Sequence, residues 1–232
     1  MTVGSGVATI GGKAFDGCTA LKAVRISDVG AWCGIDFAEL VSNPLYYAHN
    51  LYLADKLLTN LDMPSGTVVV KDYAFAGGAC LNAVSVPSSV TSLGYQSFKE
   101  CANISSVTIA DGTASLSVGY DTFADGSNGV GLFAASKNIG SLYLGRNLVY
   151  DADAAHGYSP FYGTGLSGLQ FGGNVTEIGD YLFYGCPVAS SVNLPSGLKV
   201  IGMHAFDGAL TESVTIPASV ETIYDGAFNN CT

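Results

Sequence analysis

The chain has 232 residues, of which 48% are apolar, 11% aromatic and only 12% charged; this is enough to bury a sizeable core and too apolar for a disordered segment. Nine basic residues stand against nineteen acidic ones, a net charge of −10, opposite in sign to what phosphate backbones or anionic lipids attract, so nucleic acid is not an expected partner. With so few charges, Ser, Thr, Asn, Gly and Tyr must supply most of the wet surface.

From the N-terminus, Met1 to Ile10 has neither a basic n-region nor an apolar h-region, and no secretory signal is read there. The uncharged run Tyr73 to Phe98 contains Gly77, Gly78, Pro87 and Gly94, which is far from an apolar spanning helix, so no membrane insertion is expected. The dominant signal is internal repetition. Ala14-Phe15-Asp16-Gly17-Cys18 recurs as Ala74-Phe75, Ser97-Phe98, Leu182-Phe183, Ala205-Phe206 and Ala227-Phe228. The spacing is 23 residues from Phe75 to Phe98, 23 from Phe183 to Phe206 and 22 from Phe206 to Phe228.

Two further landmarks keep step with the Phe. Short alternating triplets stand at Val24-Arg25-Ile26, Leu61-Asp62-Met63, Val84-Ser85-Val86, Val107-Thr108-Ile109, Val192-Asn193-Leu194 and Val214-Thr215-Ile216, often followed by Pro. Pairs of apolar residues three apart stand at Val7 and Ile10, Val90 and Leu93, Val175 and Ile178, and Val220 and Ile223, usually followed by Gly. A period near 23 falls in the range of leucine-rich repeats and is too short for two helices per unit. Each triplet predicts a short strand with its first and third residues inward and its middle residue outward. Stacked coils then give a parallel sheet whose stability is a sum over neighbours.

Two stretches break the period, near residues 28–62 and 111–165. In the first, Leu51-Tyr52-Leu53, Ala54-Asp55-Lys56 and Leu57-Leu58 read as strand, turn and returning strand. In the second, Phe133 and Phe161 keep the coil, with strands at Leu142-Tyr143-Leu144 and Leu169-Gln170-Phe171. Both are rich in large apolar residues and neither reads as a linker. The expectation is one domain over 1–232, about 9 coils of about 23 residues, with both ends inside a repeat, as in a fragment of a longer protein.

The repeat I-G-x-x-A-F-x-G-C-x-x-L-x-x-V-x-I-P, seen from Ile10 to Ile26 and from Val84 to Cys101, resembles the bacterial surface-antigen (BspA-like) leucine-rich repeat. The variant segments Ala31-Trp32-Cys33, Asn43-Pro44-Leu45 and Leu142 to Leu148 are similar to variant coils of that family. The resemblance implies a right-handed curved leucine-rich-repeat solenoid with a parallel β-sheet on its concave face and short strands, turns and irregular segments elsewhere. It also implies a secreted or cell-surface protein linked to adhesion. It carries over no catalytic residues, and fold alone does not determine function.

Cys18, Cys101, Cys186 and Cys231 each lie three residues after a landmark Phe, in a slot that elsewhere holds Gly78 or Ala209. The slot therefore selects for small size, and free thiols are expected, with Cys80 and Cys101 the one pair near enough to check. His49, His156 and His204 are isolated, and Asp151 and Asp153 with His156 lack the evenly spaced donors of a calcium loop. No slot collects His, Asp, Glu and Cys, so no metal, cofactor or enzymatic centre is expected. Gly163 to Gly168 matches a dinucleotide fingerprint in letters only, because a strand follows it and not a helix. Asn103, Asn174 and Asn230 begin glycosylation sequons that matter only in a eukaryotic source.

The outward middle positions Arg25, Asp62, Ser85, Thr108, Tyr143, Gln170, Asn193 and Thr215 form a polar, nearly charge-neutral strip, the surface on which solenoids bind extended partners. Tyr143 is its aromatic anchor, and Arg25 and Arg146 are its directional donors. A solvated sheet also needs polar β-formers, so the strip has a purely structural reading as well. The aromatic insertions, Trp32 with Tyr46, Tyr47 and Tyr52, and Tyr150 with Tyr158 and Tyr162, offer either a second surface or satellite cores under long loops. The expected function is a non-catalytic, adhesin-like protein-interaction module. Its partner would be a host extracellular-matrix or surface protein, or another cell's surface protein. The alternative is a passive spacer that displays another domain.

Overall fold

Alternation within the triplets becomes strand, and stacking becomes sheet. The computed structural model describes residues 1–119, 132–133, 136–150, 160–162, 164–188, 191–209 and 213–232. It is a parallel-strand β-solenoid. One sheet runs Gly168–Phe171, Ser141–Leu144, Ser106–Ile109, Ala83–Val86, Asn60–Asp62, and a second runs Leu148–Val149, Leu116–Val118, Ser92–Leu93, Val69–Val70. Among the described residues every strand pair is parallel except the hairpin of Leu51–Leu53 with Lys56–Leu57. That hairpin turns through Ala54 and Asp55, both at positive φ (46° and 64°), which matches the right-handed twist of its strands. Lys56, expected in the turn, is the first residue of the returning strand.

Inside the coils the landmark phenylalanines from Phe75 onward form one column. Phe75, Phe98, Phe133, Phe161, Phe183, Phe206 and Phe228 stack in succession with centroids 5.3 to 5.9 Å apart. All but the last are fully buried. The spacing follows the strand separation of about 4.8 Å, so each ring covers the next and the column closes only if the coils stay in register.

The first irregular stretch is filled by two one-turn helices, Val29–Cys33 and Pro44–Ala48. Asp28 caps the first by accepting from the Ala31 N–H, and Asn43 caps the second while its Nδ2 donates to the Tyr73 carbonyl at 2.6 Å. Trp32 is buried against Phe37, its Nε1 donating to the Ala74 carbonyl at 2.8 Å. This insertion therefore adds Trp32 to the continuous core of the coils and forms no satellite core, and Tyr47 is spent on Asp16 at 3.1 Å. Tyr150 is likewise occupied, donating to the Asp180 carbonyl, while Tyr162 stays exposed and stacks on Tyr184. Tyr158 lies outside the described residues. Among the described residues no helix is long and apolar enough to cross a membrane.

All six cysteines are free, Cys80 and Cys101 included. The recurrent slot asks for more than small size. Cys101, Cys186 and Cys231 donate through Sγ to the carbonyls of Phe75, Phe161 and Phe206, one coil earlier, each at 3.1 Å. Ser136 does the same to Phe98 at 3.3 Å. Burial pushes the Cys186 thiol up to about 12, so the proton stays on sulfur as the donor role requires. Cys101→Ser should keep the bond, whereas Cys101→Ala should leave the Phe75 carbonyl only the Gly78 N–H and cost about 0.5–1.5 kcal/mol more in urea unfolding.

His204, isolated in the sequence, lies in a network. Its Nδ1 is 2.7 Å from Asp207 Oδ2, and Asn230 and Asn229 donate to the same carboxylate at 2.9 and 3.3 Å. Burial pushes the Asp207 carboxyl up, but hydrogen bonds from Asn230, His204 and Asn229 outweigh it and hold the group below its ordinary value of 3.8. A folded value below the unfolded one means the network stabilises above the ordinary carboxylate range and is lost as pH falls through the folded value. Comparing Asp207→Asn with the wild type, thermal stability should differ at neutral pH, and the gap should close on acidification below about pH 4. A gap that persists there would show that the carboxylate charge plays no part.

Candidate functional site

The outward row is in register across the central sheet. Asp62 pairs with Ser85, Ser85 with Thr108, Thr108 with Tyr143, and Tyr143 with Gln170. Their inward neighbours Leu61, Val84, Val107, Leu142 and Leu169 are buried. Asp62, Thr108 and Gln170 are exposed, and Ser85 and Tyr143 half-buried. Five of the strip residues thus share one face of one sheet.

The remaining three fall on separate ladders. Arg25 pairs with Tyr52 in a sheet that ends at the hairpin strand Lys56–Leu57. An open groove lined by Leu53, Leu57, Asn60 and Asp62 separates it from the central row. Arg25 is committed to its own surroundings: its Nε lies 3.1 Å from Asp55 Oδ1 and its guanidinium 5.0 Å over the Tyr52 ring. Asn193 and Thr215 pair with each other on a two-stranded ladder beyond Gln170. The strip is therefore broken on both sides of the central five residues. The hairpin adds a rung of opposite direction on one side, and on the other, among the described residues, the sheet ends at Gly168–Phe171.

Arg146 is not a surface donor. Only 1% of it is exposed, and its Nη1 and Nη2 donate to the carbonyls of Ser88 and Pro87 at 3.1 and 3.0 Å. Burial pulls its pKa down. The side chain passes over Gly112 of the intervening coil, where a Cβ would stand 3.1 Å from its Cδ. It ties three successive coils together and is unavailable to a partner.

Asp111 takes its place beside Tyr143. The Tyr143 hydroxyl donates to Asp111 Oδ2 at 2.8 Å, and that bond, more than burial or the neighbouring charge, raises the phenol above its ordinary value. Space for the pair comes from two glycines that follow the strands where other coils carry Pro87, Pro195 or Pro217. A Cβ on Gly172 would fall on Asp111 Oδ1 and 2.9 Å from the Tyr143 oxygen, and one on Gly145 would fall on the Asp111 backbone nitrogen. Asp111 itself is exposed. Glycine in place of proline after Leu144 and Phe171 was the sequence signal for this pair.

Residues 49–147 and 156–232 match the BspA type leucine rich repeat region family, in six copies. The chain belongs to that family, whose repeats are typically non-catalytic binding modules. One solved structure, a leucine rich cell surface protein from Faecalibacterium prausnitzii A2-165, aligns over 99% of this chain and 76% of its own. It does so at 18% identity and a TM-score of 0.37, a likeness too slight to argue from. No curated protein matches the chain.

Proposed function

We propose that the chain is a protein-interaction module that works without catalysis, carried by a secreted or cell-surface protein and adhesin-like in its binding. The supporting observation is the central row: five outward side chains in one parallel register, four polar and one, Tyr143, aromatic. Such a row offers hydrogen-bonding groups at strand spacing to an extended partner, and a Tyr supplies contact area at low entropic cost. Partners of this kind are host extracellular-matrix or surface proteins, or the surface proteins of neighbouring cells. Membership in the family supports the surface location, and a single repeat domain within a longer polypeptide is part of the same proposal.

Capture of such proteins from matrix preparations and from intact bacterial cells is expected to fall with Thr108→Lys, which plants a long side chain in the middle of the row. Tyr143→Ala should act in the same direction. Undiminished capture by both variants would leave the row a solvated sheet and the chain a spacer.

A further inference from the structure

Resting on that reading of the central row, we propose that Tyr143 and Asp111 together receive a cationic side chain of the partner polypeptide. The cation is an arginine guanidinium or a lysine ammonium, with the ring as its bed and the carboxylate as its counter-charge.

The pair is held in place before any partner arrives. The 2.8 Å bond from the Tyr143 hydroxyl fixes Asp111 Oδ2, and the Gly145 and Gly172 floor leaves the carboxylate lying over the ends of the neighbouring strands. A carboxylate has about four lone-pair sites, and one is spent here. Among the described residues the ion pairs are Arg25 with Asp55, Lys199 with Glu221 and His204 with Asp207. Asp111 has none, and neither does Asp62 on the same row. Arg146, the cation next to Asp111 in the stack, is turned away onto the carbonyls of Pro87 and Ser88.

The molecule already contains the completed arrangement once. In the N-terminal sheet Arg25 lies 5.0 Å over the Tyr52 ring and 3.1 Å from Asp55. There cation, ring and acid come from one chain. Tyr143 and Asp111 repeat the ring and the acid without the cation. A basic group set over a tyrosine beside a carboxylate gains both cation–π and charge-assisted hydrogen-bond energy. The net charge of −10 draws such a partner in.

The test uses the whole chain and a labelled, end-blocked peptide of three Ser-Arg repeats, in which every second residue is basic and one face of an extended strand carries all the charge. Fluorescence anisotropy at constant, low ionic strength reads binding. Wild type should bind it, Asp111→Asn and Tyr143→Ala should each weaken binding at least about tenfold, and Tyr143→Phe, which keeps the ring, should weaken it less than Tyr143→Ala. Asp225→Asn makes the same change in net charge at a remote coil and should have little effect. No binding, equal losses for Asp111→Asn and Asp225→Asn, or equal binding of a Ser-Gln peptide would each overturn the assignment. The row itself is tested separately, through Thr108 and whole partner proteins, so failure here with success there removes only the cation.

Discussion

Phe98→Ala is expected to cost about 3–5 kcal/mol, the range for deleting a buried aromatic ring. Phe98 is fully buried between Phe75 and Phe133, at 5.4 and 5.3 Å. Removing it opens a cavity and interrupts the column, so two stacking contacts go at once. Coil stability is a nearest-neighbour sum, so the loss should propagate to both adjacent coils. Phe228→Ala provides the comparison. That ring is half-buried and stacks on Phe206 alone, so its loss should be markedly smaller. Urea unfolding followed by circular dichroism separates the two; equal losses would mean that the column is not the stabilising element.

Gly145→Ala should be costly out of proportion to one methyl group. The added Cβ would fall on the Asp111 nitrogen and stand 2.6 and 2.7 Å from the Ala110 carbonyl carbon and the Asp111 Cα. These are backbone atoms that cannot rotate aside, so the coil must shift, at about 1–3 kcal/mol as for other overpacked sites. The shift moves Asp111 away from Tyr143, so binding through the pair should suffer as well. Gly173→Ala is the control: nothing lies within 4 Å of its Cβ, and its effect should stay within about 0.5 kcal/mol. A neutral Gly145→Ala would show that the neighbouring coil is free to slide.

How much of this was legible in the sequence follows from what alternation can encode. Val84-Ser85-Val86 and Val107-Thr108-Ile109 announced strands, inward and outward faces and parallel stacking, because a period of two has one physical meaning. The phenylalanine spacing announced the inner column. The fate of long side chains was not legible: Arg146 follows a triplet like any surface residue, yet its side chain crosses Gly112 and is buried on carbonyls two coils away. Asp111 was missed because it stands outside the triplet and joins the row only through the Gly145 and Gly172 floor. The network of His204 and Asp207 is not legible either, since Asn229 and Asn230, which complete it, lie in the next coil. The hairpin is legible, with its turn one residue too long, at Lys56, but that it divides Arg25 from Asp62 is not. In the cysteine slot, small size was visible, whereas the bond to the preceding Phe carbonyl depends on distances between coils.

The central claim is that partners meet the chain on the outward row of the central sheet. Photocrosslinking tests it most directly, with a benzophenone side chain placed either at Thr108, in the middle of that row, or at Ser117, exposed on the second sheet. With matrix proteins or intact bacterial cells as bait, adducts should form from Thr108 and not from Ser117. Adducts of equal yield from both positions, or from Ser117 alone, would contradict it.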